Sequence, residues 1–175
     1  MATQSMANKS EAFSQISAFE SAYGYDASYM RELYELSPVA FALFRDASKM
    51  AGYHQELPAE AHYTATITVM QAEDCRGCLE LNYKLAREAG VSAETLASLA
   101  GNVDQLPPHL QDVRTHTQLC LGTGAIDTEV AARIKANYGP RAFAELVLCI
   151  VGARMYPGIK RALGKLQSCS IEAIQ

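Results

Sequence analysis

Apolar residues recur along most of this chain at the spacing of one face of an α-helix, and the breaks between runs carry helix start and stop signals. Ser37-Pro38 pairs a capping hydroxyl with proline at a first helical position. The helix it predicts places Val39, Leu43, Ala47 and Met50 on one face and ends near Gly52. Pro58 opens the next segment. Ser92 or Ala93 starts a short helix that stops before Gly101, and Pro107-Pro108 opens another that runs to about Leu121. Asp127 caps a helix whose end is marked by Gly139. Pro140 then begins a helix so apolar from Leu146 to Val151 that it is expected to lie centrally buried. Pro157 predicts an interruption, followed by a last short helix through Leu166.

One segment carries two periods at once. Tyr63, Ala65, Ile67 and Val69 alternate with Thr64, Thr66 and Thr68, the pattern of a half-buried strand. No second strand is predicted to pair with it, and a lone strand leaves its backbone donors and acceptors unsatisfied. Pro58-Ala59-Glu60 is a good helix entry, and Ala59, Tyr63, Ile67 and Met70 form a helical stripe. The prediction is therefore helix, and the fold class all-α.

With 175 residues, 49% of them hydrophobic and 19% charged, the chain suits one globular domain and is short for two. The expected domain spans 1–175, with residues 1–10 frayed and the core within about 37–166. A net charge of −4 and the lack of a basic block leave no footprint for nucleic acid or an anionic membrane. The start, MATQSMANKSEAF, lacks the apolar run of a secretory signal, and Leu146 to Val151 is too short to span a bilayer. Five cysteines with one tight pair do not suggest an extracellular disulfide framework. A reducing cytoplasm is the expected location, where a CxxC pair is usually catalytic or metal-binding.

That pair is Cys75 and Cys78, in EDCRGCLELNYKLAREAG. On a helix they are neighbours at i and i+3, close enough for a disulfide, with Cys78, Leu81, Leu85 and Ala89 on the apolar side. Glu80, Lys84, Arg87 and Glu88 fall on the other face. A first-turn thiol faces unpaired backbone N–H groups and the positive end of the helix dipole, which favours thiolate. Arg76 acts in the same direction, while Glu73 and Asp74 oppose it unless one caps the helix or serves as a base. Three readings of the pair stand open: dithiol redox chemistry, a zinc site completed by His109 and His116, or two small buried apolar residues. A thioredoxin is excluded, because the chain has neither its βαβ pattern nor a tryptophan. Cys120 and Cys149 read as core packing. Cys169, near the C-terminus, is either a third thiol for relay or a tail residue without a role.

The CxxC opening a helix, followed by LNYKLAREAGVSAETL, resembles the alkylhydroperoxidase D-like and carboxymuconolactone decarboxylase superfamily over roughly Ser37 to Leu166. The segment ARMYPGIKRALG resembles the end of one branch of it. The resemblance implies an all-α domain with a central helical hairpin carrying the CxxC, assembled as a homo-oligomer: a dimer, trimer or hexamer. It also implies a cysteine pair that cycles between dithiol and disulfide to reduce hydroperoxides or protein disulfides. No cofactor is implied beyond an external thiol reductant. By analogy Cys78 attacks and Cys75 resolves, whereas thioredoxin precedent reverses the roles.

The sequence departs from that family's pattern at two places. A histidine belongs four residues after the second cysteine, where the chain has Asn82, and a glutamate twelve residues before the first, where it has Tyr63. Neither replacement titrates near neutrality, so neither is a general base. Glu73 is the nearest candidate base by sequence, and His54 and His62 are candidates by folding back. Two other functions stay open: a decarboxylase-like enzyme that does not use the cysteines, and a helical oligomer without catalysis.

Overall fold

The computed structural model describes residues 9–125 and 127–166; Cys169 lies outside them. Those residues form eight α-helices and one 3₁₀ turn, with no strand among them. The helices are α1 (Lys9–Tyr23), α2 (Ser28–Leu36), α3 (Pro38–Gly52), α4 (Ala59–Ala72), α5 (Arg76–Glu88), α6 (Ala93–Gly101), α7 (Pro108–Leu121) and α8 (Thr128–Ala162). The start signals act as read. Ser37 Oγ accepts from Ala40 N at 3.2 Å, Ser92 Oγ from Thr95 N at 3.1 Å, and Asp127 Oδ1 from Glu129 N at 2.8 Å.

The ambiguous segment is helix α4, and its threonines explain the false strand signal. Thr68 donates to the Thr64 carbonyl at 2.7 Å and Thr66 to the Tyr63 carbonyl at 3.3 Å. Hydroxyls satisfied on the preceding turn can be buried. Every residue from Thr64 to Met70 is buried, so α4 is the helix on which α5, α7 and α8 pack.

Four expectations need correction. Val39 and Leu43 are 53% and 56% exposed, and α3 instead buries Phe41, Ala42 and Phe44. In the apolar run of α8, Leu146, Cys149 and Ile150 are buried while Val147, Leu148 and Val151 face outward. Pro157 does not interrupt α8, which continues to Ala162. Contacts on both sides hold it: Tyr156 meets Phe44 edge-on, and Lys160 lies against Tyr25. Lastly, the packed core begins well before residue 37. Ala12, Ile16, Tyr25, Tyr29 and Tyr34 join Phe41 and Phe44 in a second apolar cluster, beside the main one built on α4, α7 and α8. Residues 1–8 lie outside the described ones, and Lys9 and Ser10 already belong to α1.

Helix α8 is kinked where Gly139 adopts φ 86°, so Pro140 starts a fresh segment. Among the described residues α8 is also the one helix long and apolar enough to cross a membrane. Its residues Ile134, Leu146 and Cys149 are fully buried against protein, while Val147, Leu148 and Val151 are exposed.

Candidate functional site

The turn from α4 to α5 brings the cysteines together. Asp74 takes a left-handed conformation, φ 52°, and the next N–H, that of Cys75, bonds back to the Met70 carbonyl at 3.2 Å. The chain reverses there, and Cys75 becomes the residue that caps α5. Cys78 sits one turn on, at a Cα–Cα distance of 5.3 Å, and the two are joined as a disulfide. Both are almost completely buried, at 1% and 2% exposure.

The two sulfurs have different surroundings. Cys78 lies on the wall of a cavity of about 470 Å³ enclosed by α1, α2, α3, α4, α5 and α8. Cys75 borders a smaller, more polar cleft of about 140 Å³ edged by Asp26, Glu80, Lys84, Lys160 and Lys165. Tyr25 bridges the two spaces, and its hydroxyl lies 3.8 Å from Cys78 Sγ. A disulfide sulfur carries no proton, so the phenol is the donor in this state. Burial pushes the Tyr25 hydroxyl up to about 12, which keeps it protonated and donating near neutrality. Lys160 is 6% exposed, with its ammonium 4.2 Å from the Tyr25 ring centre and 5.1 Å from that of Tyr29. That ammonium also lies 3.8 Å from where a Cβ would stand on Gly77, between the two cysteines. Burial lowers the Lys160 pKa, opposed by the Asp26 charge.

Asn82 and Tyr63 line one cavity with Cys78. Asn82 Nδ2 donates to the Cys78 carbonyl at 2.8 Å, so it braces the main chain of the cysteine turn. Tyr63 is half-buried, and its ring stands edge-on to His62 at 4.9 Å. His54 and His62 reach the same cavity and stack on each other at 4.1 Å. His62 is 3% exposed, its Nδ1 has no hydrogen-bond partner among the described residues, and burial with the neighbouring His54 lowers its pKa to about 4. Behind this pair, Glu145 accepts from the backbone N–H groups of Gln55, Glu56 and Leu57 at 2.8 to 2.9 Å. Burial works against its ionisation, but those three donors and His54 together hold the carboxyl below its ordinary value.

Glu73 is placed elsewhere. Its carboxylate binds Arg154 and Arg161, each at 3.0 Å, and it does not line the cavity of Cys78. It fastens the end of α4 to α8. His109 and His116 line neither the cavity of Cys78 nor the cleft of Cys75: His109 lies near Tyr138, and His116 packs on Phe143 with Nε2 3.6 Å from Cys120 Sγ. Among the described residues no group of three metal-ligating side chains converges. Cys149 is fully buried, its thiol pushed up to about 12 by burial, and Cys120 is partly exposed. Tyr25 and Lys160 are not singled out by sequence. The aromatic density of YGYDASY is the available signal for the first, and nothing local marks the second.

No protein-family model, curated protein or solved structure matches this chain.

Proposed function

We propose that the protein is a thiol-dependent oxidoreductase of the alkylhydroperoxidase type that reduces small organic hydroperoxides through Cys75 and Cys78. The observation that carries this reading is the seat of Cys78, a disulfide sulfur on the wall of an apolar cavity with a protonated phenol directed at it. The near-complete burial of both cysteines favours a small hydroperoxide over a protein disulfide as substrate.

In the reduced protein the Cys78 thiolate attacks the terminal peroxide oxygen. The S–O bond forms, the O–O bond breaks, and the alkoxide leaves as alcohol after taking one proton. The Cys75 thiol then attacks the sulfenic acid, the S–S bond forms and water departs. An external dithiol of low potential supplies the two electrons that restore the pair. Tyr25 stabilises the thiolate by hydrogen bonding, and Asn82 holds the turn. His62, neutral near pH 7, offers a ring nitrogen to the peroxide or to the thiol proton. Cys78 attacks and Cys75, facing the polar cleft, meets the reductant. The working form is a homo-oligomer in the cytoplasm, and the exposed apolar side chains of α3 and α8 supply its interface.

The test is thiol mapping by alkylation and peptide mass spectrometry after reduction and brief exposure to cumene hydroperoxide. A stoichiometric Cys75–Cys78 disulfide within seconds is the expected result. Free thiols after minutes sink the peroxidase reading. Enzymatic activity that survives Cys75→Ser/Cys78→Ser would point instead to a decarboxylase-like reaction on His54, His62 and Tyr63.

A further inference from the structure

The cavity beside Cys78 has a lining with a definite chemical character. Much of its wall is contributed by α1, α2 and the link between them, through Ile16 and Phe19, Tyr29 and Met30, and Tyr25, outside the stretch that carries the family resemblance. Phe41 and Phe44 of α3, with Met70, Leu81 and Leu85, continue the apolar surface. Among the described residues no aspartate or glutamate lines it, and a single arginine does. That arginine is Arg45, partly buried on α3, which forms no ion pair among the described residues. His54 and His62 also line this space.

An apolar wall, one guanidinium and the sulfur of Cys78 describe a ligand with an apolar body and two polar groups. At about 470 Å³ the space falls in the range of about 300–1,000 Å³ typical of small-molecule sites. A guanidinium without a protein carboxylate favours an anion that accepts two parallel hydrogen bonds. We infer that this cavity binds an apolar organic carboxylate, Arg45 holding the carboxylate, and that the substrate is therefore the hydroperoxide of such an acid, with its peroxide group toward Cys78 and His62. The binding claim stands on the cavity alone, and the substrate claim rests on the oxidoreductase reading above. Helices α1 to α3 then select the substrate, while α4 and α5 supply the chemistry.

Binding is tested by isothermal titration of the full chain carrying Cys78→Ser, with dodecanoate and with methyl dodecanoate as the esterified control. The expected result is tighter binding of dodecanoate than of its ester, lost roughly tenfold or more in Arg45→Met, as for a charge-assisted bidentate pair. The ester is expected to bind both proteins alike. Ile16→Trp, which fills the cavity from α1, is expected to abolish both while the circular dichroism spectrum is retained. Equal affinity for acid and ester, or unchanged dodecanoate binding in Arg45→Met, overturns the inference. Turnover separates the two readings. If wild-type protein reduces hydrogen peroxide as efficiently as a fatty-acid hydroperoxide and binds no dodecanoate, the cavity inference is wrong and the thiol reading survives. If dodecanoate binds as expected but no hydroperoxide is reduced, the carboxylate site is upheld and the peroxidase reading fails.

Discussion

At the scale of single residues the proposed chemistry turns on what surrounds Cys78. Among the described residues the Tyr25 hydroxyl is its one side-chain hydrogen-bond neighbour in the cavity, 3.8 Å away. In the reduced protein that donor favours thiolate, and hydrogen bonds to charged groups contribute about 1.5–3 kcal/mol. Tyr25→Phe is therefore expected to move the pH profile of Cys78 reactivity in the reduced protein to higher pH. The measurement is the pH dependence of alkylation at Cys78; an unchanged profile would remove Tyr25 from the mechanism. Lys160→Met should move the same profile in the same direction, because it removes a cation held against Gly77 and the Tyr25 ring. His62 makes a separate prediction. Its folded pKa, about 4, lies below the ordinary value of 6.5, so the unfolded chain takes up a proton that the folded chain refuses. The stability this contributes is complete above about pH 6.5 and is lost as pH falls toward about pH 4, on the order of 3 kcal/mol. Glu145, also lowered, loses stability in the same direction at the acidic end. His62→Phe should flatten the decline in urea midpoint between those limits, and an equally steep decline would mean that His62 charges freely in the fold.

At the scale of elements, the helices with explicit start signals are legible in the sequence, because capping is local chemistry. Ser37, Ser92 and Asp127 cap as read. The helix state of α4 also follows, since no partner strand exists for the alternating threonines. What is not legible is non-local. The seat of Cys78 depends on Tyr25, 53 positions away in sequence, and on the ammonium of Lys160 from the far end of α8. Periodicity also misjudges which stripe of α3 is buried, because Val39/Leu43 and Phe41/Phe44 are two apolar stripes on one helix. Only the docking of α2 and α8 selects the second. The α3–α8 contact gives a paired prediction. A Cβ on Gly152 would stand 2.5 Å from Ala51 N and 2.9 Å from its Cα, whereas Gly158, on the same helix, has open space. Gly152→Ala should destabilise by about 1–3 kcal/mol by forcing α3 and α8 apart. Gly158→Ala should stabilise by roughly 0.5–1 kcal/mol through helix propensity. Urea denaturation of both variants reads the two signs, and a neutral Gly152→Ala would show that α3 is free to shift away from α8.

For the whole molecule, the apolar residues left outside matter as much as the core. Leu36, Val39 and Leu43 on α2 and α3, and Val147, Leu148 and Val151 on α8, are 38% to 67% exposed, on helices that pack together. Scattered exposed leucines are ordinary on a protein surface, but six large aliphatic side chains on helices that pack together are candidates for an interface. We propose a second copy of the chain as its occupant, since a two-fold contact needs only one self-complementary surface. Such a contact would press on α3, whose inner face carries Phe41, Phe44 and Arg45 into the cavity. Assembly and substrate selection would then share one helix. Sedimentation velocity is expected to give a dimer or larger species for the wild-type chain. Val151→Asp combined with Leu43→Asp should give monomer with an unchanged helical spectrum, since neither side chain is buried in the protomer. If α3 is steadied by the contact, the monomeric variant should also bind dodecanoate more weakly despite an intact Arg45. A wild-type chain that sediments as a monomer at high micromolar concentration would reject the interface and return α3 to the role of cavity wall alone.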